Sequence, residues 1–248
     1  MQIAKYNASG NDFVIFHTFK KEDRSSLAKA VCDRQKGIGA DGLIVLIPHE
    51  TCDFEWEFYN SDGSDAAMCG NGTRACAHYA HTQGLALASM RFLTGAGVIS
   101  SFVEGDVVET ELTSVKECAK PFLEHGLTWH FYDTGVPHLV ALVEDVNLFD
   151  KELARKMRYA YNANVNYASV QNGILHVRTY ERGVEDETLA CGTGMAASFY
   201  AAYSEKKVKE SANVYPRSSE ELFLRIENER LFFKGKVTCV FETQWKFD

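Results

Sequence analysis

Apolar residues along this chain fall in short runs, either alternating with polar positions or unbroken, and the runs are bounded by Gly, Asn and Asp. Such period-2 or continuous runs predict strands at Asp12–His17, Gly42–Ile47, Phe54–Tyr59, Met90–Thr94, Val98–Val103, Trp129–Asp133, Leu139–Val143, Asn164–Val170, Ile174–Tyr180, Leu222–Ile226 and Val237–Thr243. Helical spacing is rarer. It is present at Ser25–Arg34, where Ser25 is expected to cap, and at Asn71–Thr82, Asp150–Met157 and Thr193–Ser204. Two of these helices, through Ala75-Cys76-Ala77-His78-Tyr79-Ala80 and Ala196-Ala197-Ser198-Phe199-Tyr200-Ala201-Ala202, are small or aromatic nearly all round. A helix buried inside a curved sheet has that composition.

The order of these signals repeats. Met68-Cys69-Gly70-Asn71-Gly72-Thr73-Arg74-Ala75 returns 122 residues later as Ala190-Cys191-Gly192-Thr193-Gly194-Met195-Ala196-Ala197. Gly10, within Tyr6–Ile15, matches Gly135, within Tyr132–Val140, at an offset of 125. Phe58–Gly63 precedes the first cysteine as Thr179–Gly183 precedes the second. Separate matches in one order at a near-constant offset imply two homologous halves. The polar stretch Ser114–Lys120 with Pro121 suggests the link, dividing the chain at 1–113 and 114–237, with the final segment 238–248 a candidate to join the first half. The fold class expected is α/β with mixed sheets, in two pseudo-symmetric domains.

Composition narrows the function. A chain of 248 residues, 46% hydrophobic and 24% charged, can bury a real core. Its net charge of −8 and lack of a Lys/Arg stripe argue against a nucleic-acid or anionic-membrane partner. Met1–Lys5 passes into strand-like sequence without a basic-then-apolar leader, and no apolar run approaches a membrane span, so a cytoplasmic setting is expected. The seven cysteines show no disulfide-framework spacing, which fits a reducing compartment. The expected partner is a small molecule or another protein, with a homodimer as the assembly to consider.

Cys32, Cys52, Cys76, Cys118 and Cys239 read as small core hydrophobes. Cys69 and Cys191 differ, because each opens a helix behind a Gly-rich turn. A helix start offers unpaired N–H groups and the positive end of the macrodipole, which favour a thiolate and bind an anion. Zinc is a poor fit to Cys69, Cys76, His78 and His81, whose spacing matches no usual site. A peptidase with His138 as base would leave one cysteine unexplained. A redox dithiol normally keeps its cysteines two residues apart. Two opposed thiols account for both: one thiolate removes a proton from a carbon acid and the other thiol returns one to the opposite face. N–H groups of Gly70, Asn71, Gly72, Gly192, Thr193 and Gly194 would hold an α-carboxylate, so that no metal or pyridoxal cofactor is required.

Lys5–Phe13, Gly37–Gly42, Asn60–Ser64, Met68–Arg74, Thr134–His138, Tyr180–Gly183 and Ala190–Gly194 together resemble the diaminopimelate epimerase family, from the N-terminus to about residue 200. The resemblance implies a mixed sheet around a central helix in each half, an active site in the cleft between halves, and cofactor-free interconversion of LL- and meso-diaminopimelate on the route to lysine and peptidoglycan. Under it, Cys69 and Cys191 are the acid/base thiols, Glu181 faces the reacting amino group, and Arg182 clamps the distal carboxylate. Asn11, Asn60 and Asn164 are its amide ligands, and His138 supports the thiols. The chain departs from some members at Gly42 and Val136, where they carry a polar side chain and an asparagine. Related two-cysteine enzymes racemise proline, hydroxyproline or histidine, and a non-catalytic amino-acid-binding or redox protein stands as a further alternative.

Overall fold

The computed structural model describes residues 1–246, so Phe247 and Asp248, within the final segment singled out above, lie outside the described residues. The chain divides into two units: Met1–Glu111 together with the end of the chain from Gly235, and Leu112–Lys234.

The first unit contains β1 (Gln2–Ala8), β2 (Asn11–His17), α1 (Ser25–Cys32), β3 (Gly42–Ile47), β4 (Phe54–Asn60), α2 (Gly70–Thr82), β5 (Ser89–Thr94), β6 (Gly97–Glu104) and β7 (Val107–Glu111). Its strands pair in the order β1-β2-β3-β4-β5-β6-β7, with β2–β3 and β4–β5 parallel and the rest antiparallel. Strand alternation explains the two helices on it. Phe13, Ile15, Ile44 and Leu46 point to the core around α2, while Val14, Phe16, Leu43, Val45 and Ile47 point to the core under α1. Because both faces are covered, β3 reads Gly-Leu-Ile-Val-Leu-Ile with no polar interruption. Each large apolar side chain buried in this way contributes about 1.5–3 kcal/mol.

The second unit contains β8 (Lys116–Glu124), β9 (Leu127–Asp133), β10 (Pro137–Leu142), α3 (Lys151–Tyr161), β11 (Asn164–Gln171), β12 (Ile174–Glu181), β13 (Asp186–Thr188), α4 (Gly192–Ser204), β14 (Ser211–Tyr215), β15 (Leu222–Glu227) and β16 (Arg230–Lys236). Here β9-β10-β11-β12-β14-β15-β16 repeats the first unit's sequence of pairings, with β10–β11 and β12–β14 parallel and the rest antiparallel. The helices repeat as well: α3 takes the chain position of α1, and α4 that of α2. Helices α2 and α4 are buried along most of their length, each against the sheet of its own unit. The mixed sheet around a central helix, expected for each half, is what the structure has.

The last strand, β17 (Thr238–Gln244), pairs antiparallel with β1. In the second unit β8 pairs antiparallel with β9. The flanking strand of each sheet therefore comes from a different place in the chain: directly before β9 in one unit, and from the far end in the other.

Several expectations need correction. The stretch expected as a link is strand β8, an exposed edge whose register shifts on both sides of Ala119, the second shift spanning Pro121. Proline is tolerated at edges and irregularities of this kind. Helix α1 starts after Arg24, not with Ser25 as its cap, because the Asp23 carboxylate accepts from the Ser25 N–H at 2.9 Å and Ser25 makes no cap bond. Helix α3 runs past Met157 to Tyr161, stopped by Asn162 in the left-handed region at φ 50°.

Candidate active site

In both units the strand–turn–helix connection puts a cysteine at the N-cap of the central helix. Cys69 has extended backbone, its carbonyl accepts from Thr73 N–H at 2.8 Å, and its Sγ accepts from Gly72 N–H at 3.4 Å. Cys191 is likewise extended, with its carbonyl accepting from Met195 N–H at 2.9 Å, and it is buried. The glycine three residues after each cysteine sits close to the sheet, tightly in the first unit and without room for a side chain in the second. A Cβ on Gly72 would lie 3.3 Å from Ile44 Cδ1, and one on Gly194 would collide with Asn166 Oδ1.

In the first unit, Asn71, two residues after Cys69, is joined to Asn11. Asn71 Nδ2 donates to Asn11 Oδ1 at 3.0 Å, and Asn11 Nδ2 donates to the Asp41 carboxylate at 2.8 Å. Arg74, wholly buried, donates to Asn71 Oδ1 and to Ser9 Oγ, both at 2.7 Å. The amide of Asn71 is thus fixed end to end. Asp41 is the hub: its carboxylate also takes Arg34 at 2.8 Å, and its carbonyl accepts from Ser61 N–H, next to Asn60. Asn60 itself lies exposed at the end of β4, donating to Ser64 Oγ at 3.0 Å and standing opposite Gly42 in register. Gly42 has no room for a side chain, since a Cβ there would stand 2.6 Å from the Phe58 ring and 2.8 Å from the Tyr59 carbonyl oxygen. Burial raises the neighbouring Asp12 carboxyl, but hydrogen bonds from Arg34 and Lys5 outweigh it and bring its pKa to about 2.

In the second unit, Asn164, Glu181 and Arg182 meet where β11 begins and β12 ends. Asn164 Oδ1 accepts from Arg182 N–H at 2.7 Å, and the Arg182 guanidinium donates to the Asn162 carbonyl at 2.9 Å. The Glu181 carbonyl closes a turn with Glu185 N–H at 2.8 Å. His138 lies wholly buried beneath the start of α4, its Nε2 at 2.9 Å from Thr193 Oγ1, which is in turn 3.5 Å from Cys191 Sγ. Burial depresses the His138 pKa to about 3, with the nearby Arg182 charge adding slightly to the lowering, so the ring is neutral. Val136, on the turn into β10, supplies a backbone carbonyl to Thr134 N–H at 3.2 Å.

Asp41, Arg74 and Asn166 support these side chains and were not singled out from sequence. Arg74 had a signal, because a charged residue in an otherwise small, apolar helix has to be paired. Asp41 and Asn166 had none, since a lone Asp after a glycine turn or a lone Asn in a strand is ordinary. Among the described residues no group of three or more His, Cys, Asp or Glu is arranged to hold a metal ion, and no helix is long and apolar enough to cross a membrane.

Two sheets, each wrapped around a central helix and repeating one order of pairings, define a duplicated α/β class whose fold also occurs in solved structures. The chain matches a phenazine biosynthesis protein of the PhzF family from Bacillus anthracis with TM-score 0.73 at 15% identity, covering 100% of this chain and 99% of that one. It matches a probable proline racemase from Agrobacterium radiobacter with TM-score 0.75 at 10% identity, covering 100% and 93%. These likenesses concern the fold. Sequence goes further: the family model for diaminopimelate epimerase matches residues 3–116 and 130–240. A diaminopimelate epimerase of Nitratiruptor sp. is 62% identical over 98% of both chains, that of Campylobacter lari 54% over the whole of both, and that of Helicobacter pylori 45% over 97% of this chain and 94% of its own. The chain belongs to the diaminopimelate epimerase family.

Proposed function

We infer that this chain is an isomerase that interconverts LL- and meso-diaminopimelate without a cofactor, using Cys69 and Cys191 as its two acid/base groups. One observation carries the reading: a cysteine caps the central helix of each half, on sheets with the same order of pairings, in a chain that shares 54–62% of its residues with enzymes of that name over their full length.

In the forward step one cysteine, as thiolate, takes the α-proton and becomes a thiol. The electron pair left on Cα is delocalised into the α-carboxylate, whose growing charge is met by N–H groups at the helix starts, Gly70–Gly72 and Gly192–Gly194. The other cysteine, as thiol, gives its proton to the opposite face and becomes the thiolate. The configuration is inverted and the protonation of the pair exchanged. Glu181 is assigned to the reacting amino group, and Arg182 to the distal carboxylate, which its planar fork matches through two parallel bonds. Asn11, Asn60 and Asn164 are assigned to the distal amino-carboxylate end. His138 acts through Thr193 and not on substrate. The reading also carries a cytoplasmic setting, with a homodimer as the assembly to test by sedimentation.

Proton NMR of the reduced protein in D₂O with LL-diaminopimelate tests this, with proline and histidine in parallel. Loss of the α-proton signal with diaminopimelate alone is the expected result. Loss with another amino acid would replace the substrate, and no exchange with any of the three would overturn the reading.

A further inference from the structure

The internal repeat allows each residue under one cysteine to be compared with its counterpart under the other. Phe13 faces Gly42 across β2–β3 as His138 faces Asn164 across β10–β11. Two residues further along, Ile44 faces Phe58 as Asn166 faces Thr179. The start of α2 thus rests on Phe13, Ile44 and Phe58, and the start of α4 on His138, Asn166 and Thr179. Contacts at the two helix glycines agree: Ile44 and Phe13 lie 3.3 and 3.6 Å from a Cβ position on Gly72, whereas Asn166 Oδ1 and, at 3.1 Å, Thr179 Oγ1 crowd that on Gly194. One thiol has an apolar floor and the other a polar one.

The polar floor has a direction, because its proton positions follow from the bonds. Asn166 Nδ2 donates to the Leu139 carbonyl at 2.9 Å, and a carbonyl only accepts. That fixes the amide, with Oδ1 accepting from Thr179 Oγ1 at 2.8 Å. The second Nδ2 hydrogen faces His138 Nδ1 at 3.1 Å, so Nδ1 accepts. A neutral ring accepting at Nδ1 carries its proton on Nε2. Nε2–H then donates to Thr193 Oγ1 at 2.9 Å, which leaves the hydroxyl hydrogen for Cys191 Sγ at 3.5 Å. Asn164 Nδ2, whose amide is fixed by the Arg182 N–H on Oδ1, lies further from the ring at 3.3 Å and has the Pro137 carbonyl at 3.5 Å as its acceptor, so the shorter contacts at Nδ1 and Thr193 decide the tautomer.

We propose that Asn166 is a positioning residue: by holding His138 as its Nε2–H tautomer it turns the Thr193 hydroxyl hydrogen toward Cys191 Sγ and favours the thiolate of Cys191, a device that the apolar floor under Cys69 does not reproduce. A donor aimed at sulfur stabilises its charged form. The proposal rests on the two-thiol reading, but its test is made on the free protein, so that either can fail without the other.

Histidine-labelled protein, with the His138 signal assigned by His138→Gln, should show a ring protonated at Nε2 and not titrating between pH 5 and 8. Rates of alkylation by iodoacetamide, resolved by peptide, should then separate the two cysteines. Thr193→Val should slow Cys191 at neutral pH by about tenfold, the equivalent of one unit in its midpoint, and leave Cys69 unchanged. Thr193→Ser should restore it. Asn166→Leu should give a mixture of His138 tautomers and a partial slowing, and combining it with Thr193→Val should add nothing. A wild-type ring protonated at Nδ1, an unchanged Cys191 rate in Thr193→Val, or additive effects in the double variant would overturn the proposal. The wild-type NMR result decides even if a variant fails to fold.

Discussion

At the scale of single residues the chemistry concentrates in a few side chains whose removal has unequal consequences. Replacing Cys69 or Cys191 with alanine should each cost about 10²–10⁴-fold in epimerase turnover, because each face of the carbon loses its proton carrier. Arg182→Leu should act mainly on KM for diaminopimelate, by several kcal/mol if the distal carboxylate is left unpaired in the site; unchanged substrate affinity would refute its assignment. His138 makes a pH prediction. Its folded pKa of about 3 lies below the unfolded value of 6.5, so between those two values the unfolded chain binds the extra proton, and this residue lowers stability by about 1.4 kcal/mol for each pH unit from 6.5 down to about 3. Urea titrations should show that slope, and His138→Gln should lack it. The cysteines were legible in sequence because a Gly-rich helix start has a signature. Asn166 was not, since its meaning depends on a histidine 28 residues away that only strand pairing brings beside it.

At the scale of elements, Gly194 sets how closely α4 approaches its sheet. Gly194→Ala pushes a methyl group into Asn166 Oδ1 and Thr179, so a loss of about 1–3 kcal/mol is expected, measurable as a lowered Tm, together with disturbance of the Cys191 turn. Strands covered on both faces, such as β3, and strands with clean alternation were readable from the chain. Those missed have a common cause. Strand β8 is exposed along most of its length and β7, β13 and β14 are short, so none offers a long apolar face. Strand β16 buries Leu231, Phe233 and Gly235, but the apolar Phe232 between them and the glycine blur the alternation in sequence. The Ser25 cap failed because the Ser25 hydroxyl and N–H both donate to the Asp23 carboxylate two residues earlier, which turns the side chain away from the helix N–H groups.

At the scale of the whole molecule, the repeat seen as motifs at near-constant offsets reappears as two sheets with the same succession of parallel and antiparallel pairs. The motif offsets survive because a cysteine, a glycine turn or an apolar strand is hard to replace without losing the element. The floors beneath the thiols differ because apolar and polar side chains fill the same positions equally well. Truncation before β17 should expose the β1 edge and remove amide protection from β1 and β2, with β9–β12 unaffected in hydrogen exchange. Loss of protection across both units would show that they do not respond separately.

The origin of that last strand sets a timetable for synthesis. A chain made from its N-terminus releases β1–β7 from the ribosome first, yet the strand that flanks β1 emerges only after every strand of the second unit. The second unit, contiguous from Leu112 to Lys234, has its own edge strand β8 in hand as soon as it appears. The half translated first is therefore the half completed last, and throughout elongation its β1 edge is open to pairing with a neighbouring nascent chain.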